Sequence, residues 1–303
     1  MKLDGIHHIT AITENAQRNV DFYAGVLGLR LVKKTVNQDN PTVYHLFFAD
    51  EGGDPGSDLT FFEYPGAAPG RAGAGMVHRI VWRVASTAAL DFWETRLASN
   101  ETASRREGES LHFSDPEGLD HELAVVSVED APLIADDPEI PGELALQGFH
   151  AVRAYSSAPE ASSALLEALE FERVGGGTWE ARGPSRGGLY VYDEPPQERG
   201  LQGAGSVHHV AWASELDEHL AWREKALAGG AQPTPEIDRF YFKSIYFREP
   251  SGVLFEIATK GPGFTVDEPL ESLGEKLSLP PDFEHLRAEV EPNLRPVVNP
   301  RPR

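Results

Sequence analysis

Two adjacent histidines occur twice in the chain, in the same short phrase. Gly5-Ile6-His7-His8-Ile9-Thr10 reappears as Gly205-Ser206-Val207-His208-His209-Val210. Weaker copies, Gly75-Met76-Val77-His78-Arg79-Ile80 and Gly148-Phe149-His150-Ala151-Val152, keep the first histidine and replace the second. A residue found in every copy serves the repeated unit itself, as a packed or hydrogen-bonded strand residue. A residue kept in two copies of four is a candidate for chemistry, which singles out His8 and His209. Strand side chains alternate with period two, which predicts that His8 and His209 lie on the face opposite His7 and His208.

A third partner comes from a late strand of each unit. Units one, two and four carry an acidic turn: Asp54-Pro55-Gly56, Asp115-Pro116-Glu117-Gly118 and Glu249-Pro250-Ser251-Gly252. Seven residues beyond the first acidic residue stand Phe61, Glu122 and Glu256. Unit two sets Glu122 against Arg79, which reads as an ion pair. Unit four offers His209 with Glu256, and unit one offers His8. These three form one constellation if units one and four face each other. Two neutral imidazoles and one carboxylate leave a divalent metal one net positive charge and open positions. That donor set points to non-haem Fe(II) oxygen chemistry, and Mn(II) or Zn(II) can occupy it. The chain has no cysteine, so thiolate metal sites, disulfides and cysteine nucleophiles are excluded.

The elements that must position these residues follow from the repeat. Each phrase alternates apolar and polar residues, as a half-buried strand does. Helical spacing then runs over Ala16 to Leu27, Ala88 to Leu97, Pro159 to Leu169 and Glu215 to Leu227. Gly28 suits the C-terminal cap of the first helix. Strands are predicted at Val43 to Phe48, Leu59 to Phe62, Leu119 to Val126, Leu189 to Tyr192, Ser244 to Phe247 and Val253 to Ile257. Each unit therefore reads strand, helix, then about three strands, an α+β class. The boundaries are an N-terminal pair of units at 1–128, a linker at 129–145 and a C-terminal pair at 146–260. A Pro-rich tail at 261–303 carries one short helix near Asp282 to Val290, and either wraps the body or stays unordered.

Composition removes several function classes. The 303 residues carry 27 Lys+Arg against 48 Asp+Glu, a net charge of −21. Nucleic-acid and anionic-membrane binding need clustered basic residues, so neither is a partner. No apolar run approaches the ~20 residues of a membrane span, and the N-terminus lacks a signal core. The reading is a soluble, cytoplasmic protein.

With these motifs in place, the chain resembles the vicinal oxygen chelate superfamily, built from βαβββ modules. Within it the chain looks like the ring-cleaving dioxygenases that open hydroquinones. The resemblance is carried by the two His-His phrases, by Asp21-Phe22-Tyr23 with Val26-Leu27-Gly28, and by Leu59-Thr60-Phe61-Phe62. It continues in Asp238-Arg239-Phe240-Tyr241-Phe242, Ser244-Ile245-Tyr246-Phe247-Arg248-Glu249-Pro250 and Leu254-Phe255-Glu256-Ile257. It implies four modules in two tandem halves forming open barrel-like cups. It implies Fe(II) held by His8, His209 and Glu256, with O2 and a small aromatic substrate at the open positions. His7, Thr10, His208, Arg239 and Tyr246 are implied as residues around the reacting groups. Members of the superfamily pair units between chains, so a homo-oligomer is implied too.

The residues suggest tasks for that set. Tyr246 and His208 could donate hydrogen bonds, Arg239 could stabilise negative charge, and His7 or His208 could shuttle a proton. Phe61, Phe240, Phe242 and Trp212 are pocket candidates. The rival reading is a glyoxalase-like metal-dependent lyase or isomerase with a redox-inert metal and four protein ligands. The ungapped register puts Phe61 at the fourth place, which cannot ligate. A one-residue bulge would bring in Glu63 instead.

Overall fold

The computed structural model describes residues 1–301. Unit one runs β1 (Ile6–Thr13), α1 (Ala16–Val20) continuing as π-helical turns over Asp21–Val26, β2 (Arg30–Asn37), β3 (Asn40–Ala49) and β4 (Asp58–Glu63). Unit two runs β5 (Met76–Val84), α2 (Thr87–Ser99), β6 (Ser104–Glu107), β7 (Ser110–Ser114) and β8 (Asp120–Val125). Unit three has β9 (Phe149–Tyr155), a 3-10 turn at Pro159–Ser162 leading into α3 (Ser163–Ala168), β10 (Glu172–Gly175), β11 (Thr178–Arg182) and β12 (Gly187–Asp193). Unit four has β13 (Val207–Ser214), α4 (His219–Ala228), β14 (Ile237–Asp238), β15 (Lys243–Arg248) and β16 (Leu254–Thr259).

Local chemistry sets the helix starts. The Asn15 side chain accepts the Arg18 N–H, and the Glu63 carboxylate reaches over from β4 to accept the Ala16 N–H at 3.0 Å. Ser86 caps α2 in the same way, and α2 buries Ala89, Leu90, Trp93 and Leu97 along one stripe. Gly28 ends the first helix at φ +69°, where an added Cβ would stand 2.3 Å from Ile140, so glycine is required there.

The strands form two eight-stranded sheets, ordered β14-β15-β16-β13-β1-β4-β3-β2 and β10-β11-β12-β9-β5-β8-β7-β6. Units one and four share the first sheet, and units two and three share the second. Each sheet thus takes one unit from residues 1–128 and one from residues 146–260. The opening strands of the paired units meet antiparallel, β1 on β13 and β5 on β9.

Those junctions explain the histidine in every copy. In β1 on β13, Ile6 pairs with Trp212 and His8 with Ala211, so His7 is an extra residue. Thr10 pairs with His209 and Ala11 with Val207, which makes His208 extra as well. His78 and His150 are skipped in the same way between β5 and β9. All four first histidines therefore occupy β-bulges. A bulge sets two neighbouring residues against one and interrupts strict alternation. The expectation that His7 and His8 face opposite ways fails for this reason: their rings lie 5.0 Å apart, and those of His208 and His209 5.1 Å apart.

Residues from both sheets and their helices form one common apolar core, with Tyr23, Phe48, Phe61, Trp82, Trp93 and Trp212 inside it. A second, smaller cluster lines the cup of the first sheet: Val32, Phe47, Ala49, Ala211, Tyr241, Phe242, Ala258, Phe264 and Leu273. Phe264 and Leu273 belong to the tail, which inserts into this cup. Lys33, wholly buried, binds the tail through Asp267 at 2.7 Å and through Glu268. The tail then runs beside edge strand β2, where the Ser278 N–H donates to the Lys34 carbonyl, and so covers an open sheet edge. The short helix expected near Asp282 to Val290 is a 3-10 turn at Pro281–Leu286 followed by α5 (Arg287–Val290). Among the described residues no helix is long and apolar enough to cross a membrane.

Candidate metal centre

Three central strands of the first sheet bring His8 (β1), His209 (β13) and Glu256 (β16) together. His8 Nε2 and His209 Nε2 lie 3.2 Å apart, and the Glu256 carboxylate lies 3.2 Å from the first and 2.9 Å from the second. All three are buried, Glu256 completely. Ligands held ~2.1 Å from one ion at right angles are about 3 Å apart, so this spacing suits a single metal.

The hydrogen bonding around the cluster fits a cation too. His8 Nδ1 meets His7 Nδ1 at 2.9 Å, and His7 Nε2 meets the Thr259 carbonyl at 3.0 Å. A carbonyl only accepts, so His7 Nε2 carries the proton and donates. His7 Nδ1 then accepts from His8 Nδ1–H, which leaves a bare lone pair on His8 Nε2. His209 makes the corresponding contact with His208, Nδ1 to Nδ1 at 2.8 Å. The tautomer with the His209 proton on Nδ1, parallel to that of His8, turns a second lone pair inward. Neither carboxylate oxygen of Glu256 then has a hydrogen-bond donor. Two lone pairs and a buried carboxylate turned on one point repel without a cation between them. Tying the outer nitrogen of a ligand imidazole is how proteins fix its tautomer and orientation.

Burial holds the His7 imidazole down to about 3 and that of His208 to about 4, so both are neutral near pH 7. His7 has both nitrogens engaged inside the protein. His208 is exposed on its outer side.

Beside the cluster is a narrow cavity whose walls include His45, Phe47, Phe62, Arg239, Phe242 and Tyr246. Phe242 packs over both His7 and His8, with ring centres at 5.3 and 5.0 Å. Tyr246 lies edge-on to His209, and the Arg239 guanidinium sits 5.5 Å over the Tyr246 ring. Arg239 reaches across the mouth to Asp39, 3.0 Å away in the β2–β3 hairpin. Burial, then the negative charge of Glu256, pushes the Tyr246 hydroxyl up, so it stays protonated as a donor. Thr10 is fully buried behind the wall, its hydroxyl on that of Thr60 at 2.8 Å.

Several pocket and ligand expectations are corrected by register. Glu256 pairs with Ala211, two residues beyond His209. The matching position in unit one is the partner of Thr10, two beyond His8, and that partner is Thr60. Thr60, not Phe61, holds the fourth place. Unit one has a longer loop before β4, so its Asp54 is not equivalent to Asp115 and Glu249. Asp50 directly follows its strand, as Asp115 and Glu249 follow theirs, and it binds the Ser57 hydroxyl and the Asp54 N–H. Phe61 points to the opposite face and packs on Tyr23 in the core. Glu63 is spent on the α1 N-terminus and stands outside the cluster. Trp212 is a core residue against Phe171 and Phe255. Phe240 packs on Tyr241 beside the cup. His45, Phe47 and Phe62 were missed; period two from Thr60 would have found Phe62.

The second sheet carries the same frame without the two inner histidines. Arg79 stands where His209 does, 3.4 Å from Glu122, and Ala151 stands in place of His8. The ion pair read from the sequence is present.

Paired βαβββ units curled around a cup, with ligating side chains from both units, define the vicinal oxygen chelate architecture. The chain belongs to the Glyoxalase/Bleomycin resistance protein/Dioxygenase superfamily, whose family model matches residues 5–123 and 148–257. Among curated relatives, it is 41% identical to a Bacillus subtilis protein provisionally named ring-cleaving dioxygenase MhqA, over 98% of this chain and 100% of the relative. It is 34% identical to chlorohydroquinone/hydroquinone 1,2-dioxygenase of Sphingobium indicum, over 95% of each. A crystal structure of a provisionally assigned dioxygenase from Bacillus subtilis matches with a TM-score of 0.92 at 41% identity, covering 99% of both chains. Maize glyoxalase I shares the fold alone, with a TM-score of 0.56 at 15% identity over 84% of this chain and 92% of that one.

Proposed function

We propose that the protein is an Fe(II)-dependent, extradiol-type ring-cleaving dioxygenase acting on a hydroquinone or related phenol with O2. The observation that carries this reading is the three-donor cluster His8, His209 and Glu256 with Thr60 at the fourth place. A threonine there leaves the face of the metal open. Fe(II) held by those three residues supplies a redox-active centre where a deprotonated phenol and O2 can meet. The relatives named as ring-cleaving dioxygenases support the reaction class.

The chain's own residues do the rest. Phe47, Phe62 and Phe242 give the ring an apolar bed and keep water from the cluster. Tyr246 holds its proton and offers a hydrogen bond to an oxygen that gains charge. Arg239, fixed by Asp39 and stacked on Tyr246, brings positive charge to the same end. His7 and His208 orient the two ligand imidazoles. The lyase reading needs a fourth protein ligand, and Thr60 and Glu63 do not provide it.

The test is O2 uptake. Protein purified without oxygen and loaded with Fe(II) is given a small panel of hydroquinones at an oxygen electrode. Stoichiometric O2 consumption with a new ring-opened absorbance is expected. Tight metal binding with no O2 uptake on any phenol would reject the dioxygenase.

A further inference from the structure

His45 stands on β3, two strands from His8 on the far side from Tyr246, so the two residues flank the metal cluster from opposite ends. Its imidazole packs on Phe47 and Phe62, with ring centres at 4.0 and 4.4 Å, and lines the cavity. One ring nitrogen, Nε2, meets the Thr60 hydroxyl at 2.9 Å, and Thr60 meets Thr10 at 2.8 Å. Among the described residues the other nitrogen, Nδ1, has no hydrogen-bond partner, and the half-buried ring of His45 lines the cavity.

The chain of hydroxyls fixes the tautomer. Thr10 and Thr60 are wholly buried, and the Thr10 hydroxyl has Thr60 as its partner among the described residues. If His45 donated from Nε2, either the Thr10 proton or the Thr60 proton would find no acceptor, whichever way the two hydroxyls were ordered. A buried hydroxyl proton without an acceptor is costly. In the reverse order every proton is used: Thr10 donates to Thr60, Thr60 donates to His45 Nε2, and the imidazole proton sits on Nδ1. Nδ1–H is then left as an unpaired donor on a residue that lines the cavity.

We propose that His45 is a specificity-determining residue that donates its Nδ1–H to the substrate's second ring oxygen, the one away from the metal. This rests on the reading of the site as a phenol-binding metal centre. A diphenol bound to the cluster through one oxygen carries its second oxygen at the opposite end of the ring, the group that a donor away from the cluster would recognise. Thr10 and Thr60 act behind His45 by holding its tautomer.

The test compares anaerobic binding of hydroquinone with that of 4-methylphenol, which has the same shape but no second oxygen. Calorimetric titrations use the metal-loaded full chain. His45→Gln keeps an amide near Thr60 and removes the far donor. It is expected to weaken hydroquinone about tenfold while leaving 4-methylphenol within about twofold. His45→Asn places an amide donor near the Nδ1 position and is expected to recover most of the hydroquinone affinity. Nitrogen-15 chemical shifts of His45 are expected to show Nδ1 protonated and Nε2 bare. Equal weakening of both ligands in His45→Gln, no weakening of either, or the opposite tautomer would overturn the role of His45 and leave the phenol site standing. A wild-type protein that binds neither phenol would overturn both.

Discussion

Each imidazole of the proposed metal cluster is tied by its chain neighbour, and the two ties differ. His7 passes the hydrogen bond on to the Thr259 carbonyl, while His208 faces outward to solvent. Replacing His7 with Phe keeps the bulk of the ring and removes the acceptor. Metal affinity is expected to fall roughly 10- to 100-fold, measured by competition with a chromophoric chelator. Affinity unchanged from wild type would mean that His7 does not orient His8. His209→Ala is expected to abolish stoichiometric iron loading while the circular dichroism spectrum stays native. Full loading and full activity in that variant would place the metal elsewhere.

At the scale of elements, the bulges are the device that makes the site. A regular β1–β13 ladder would alternate the two histidines of each phrase, and neither could bind its neighbour. Glu63 marks the other element-level decision. Its carboxylate accepts from the start of α1, so Glu63→Ala is expected to cost about 1 kcal/mol of stability. Denaturant unfolding would read that loss, and metal content should stay at the wild-type level. Loss of the metal with no change in stability would return Glu63 to the ligand set.

Across the whole molecule, a buried polar chain ties the helix of unit one to the second sheet. Trp82 Nε1–H donates to His121 Nδ1, His121 Nε2 lies 2.9 Å from the Tyr23 hydroxyl, and Tyr23 donates to Asp115. Neutral His121 with its proton on Nε2 satisfies every member. Burial lowers His121 from its ordinary value to about 3. Its folded value is below its unfolded one near 6.5, so the stability it contributes is complete above about pH 6.5. That stability is lost as pH falls through the window down to about 3. Burial raises Asp50 and Asp115 to about 6, which acts in the opposite sense between about pH 6 and 4. Wild-type protein is therefore expected to lose more stability between pH 7 and 4.5 than His121→Gln does, in parallel urea titrations. Equal losses would remove His121 as a source of acid sensitivity. The tail belongs at this scale as well. Phe264 fills the cup against Phe47 and Tyr241, so Phe264→Ala is expected to cost about 3–5 kcal/mol in the same measurement.

The internal repeat and the donor set were legible in the amino-acid sequence because they are local. A phrase copied four times reveals its own unit, and a second histidine kept in two copies separates candidate ligand from scaffold. Hydrophobic periodicity placed the four helices and ten of the sixteen described strands, the four opening strands among them. Short exposed strands such as β6 and β10 carry little apolar signal and were not legible. Tertiary structure alone decided which units pair, because partners far apart in the chain are chosen by how opening strands meet. It alone decided the fourth position, since three extra loop residues after Asp50 break the count along the chain while the ladder fixes Thr60 beside Thr10. It also decided the environment of His45, whose partners lie on other strands. The sequence by itself determined which residues are candidate metal donors. Only the register of eight strands could determine which side chains share a face with them, because a one-residue slip turns a side chain to the other side of the sheet.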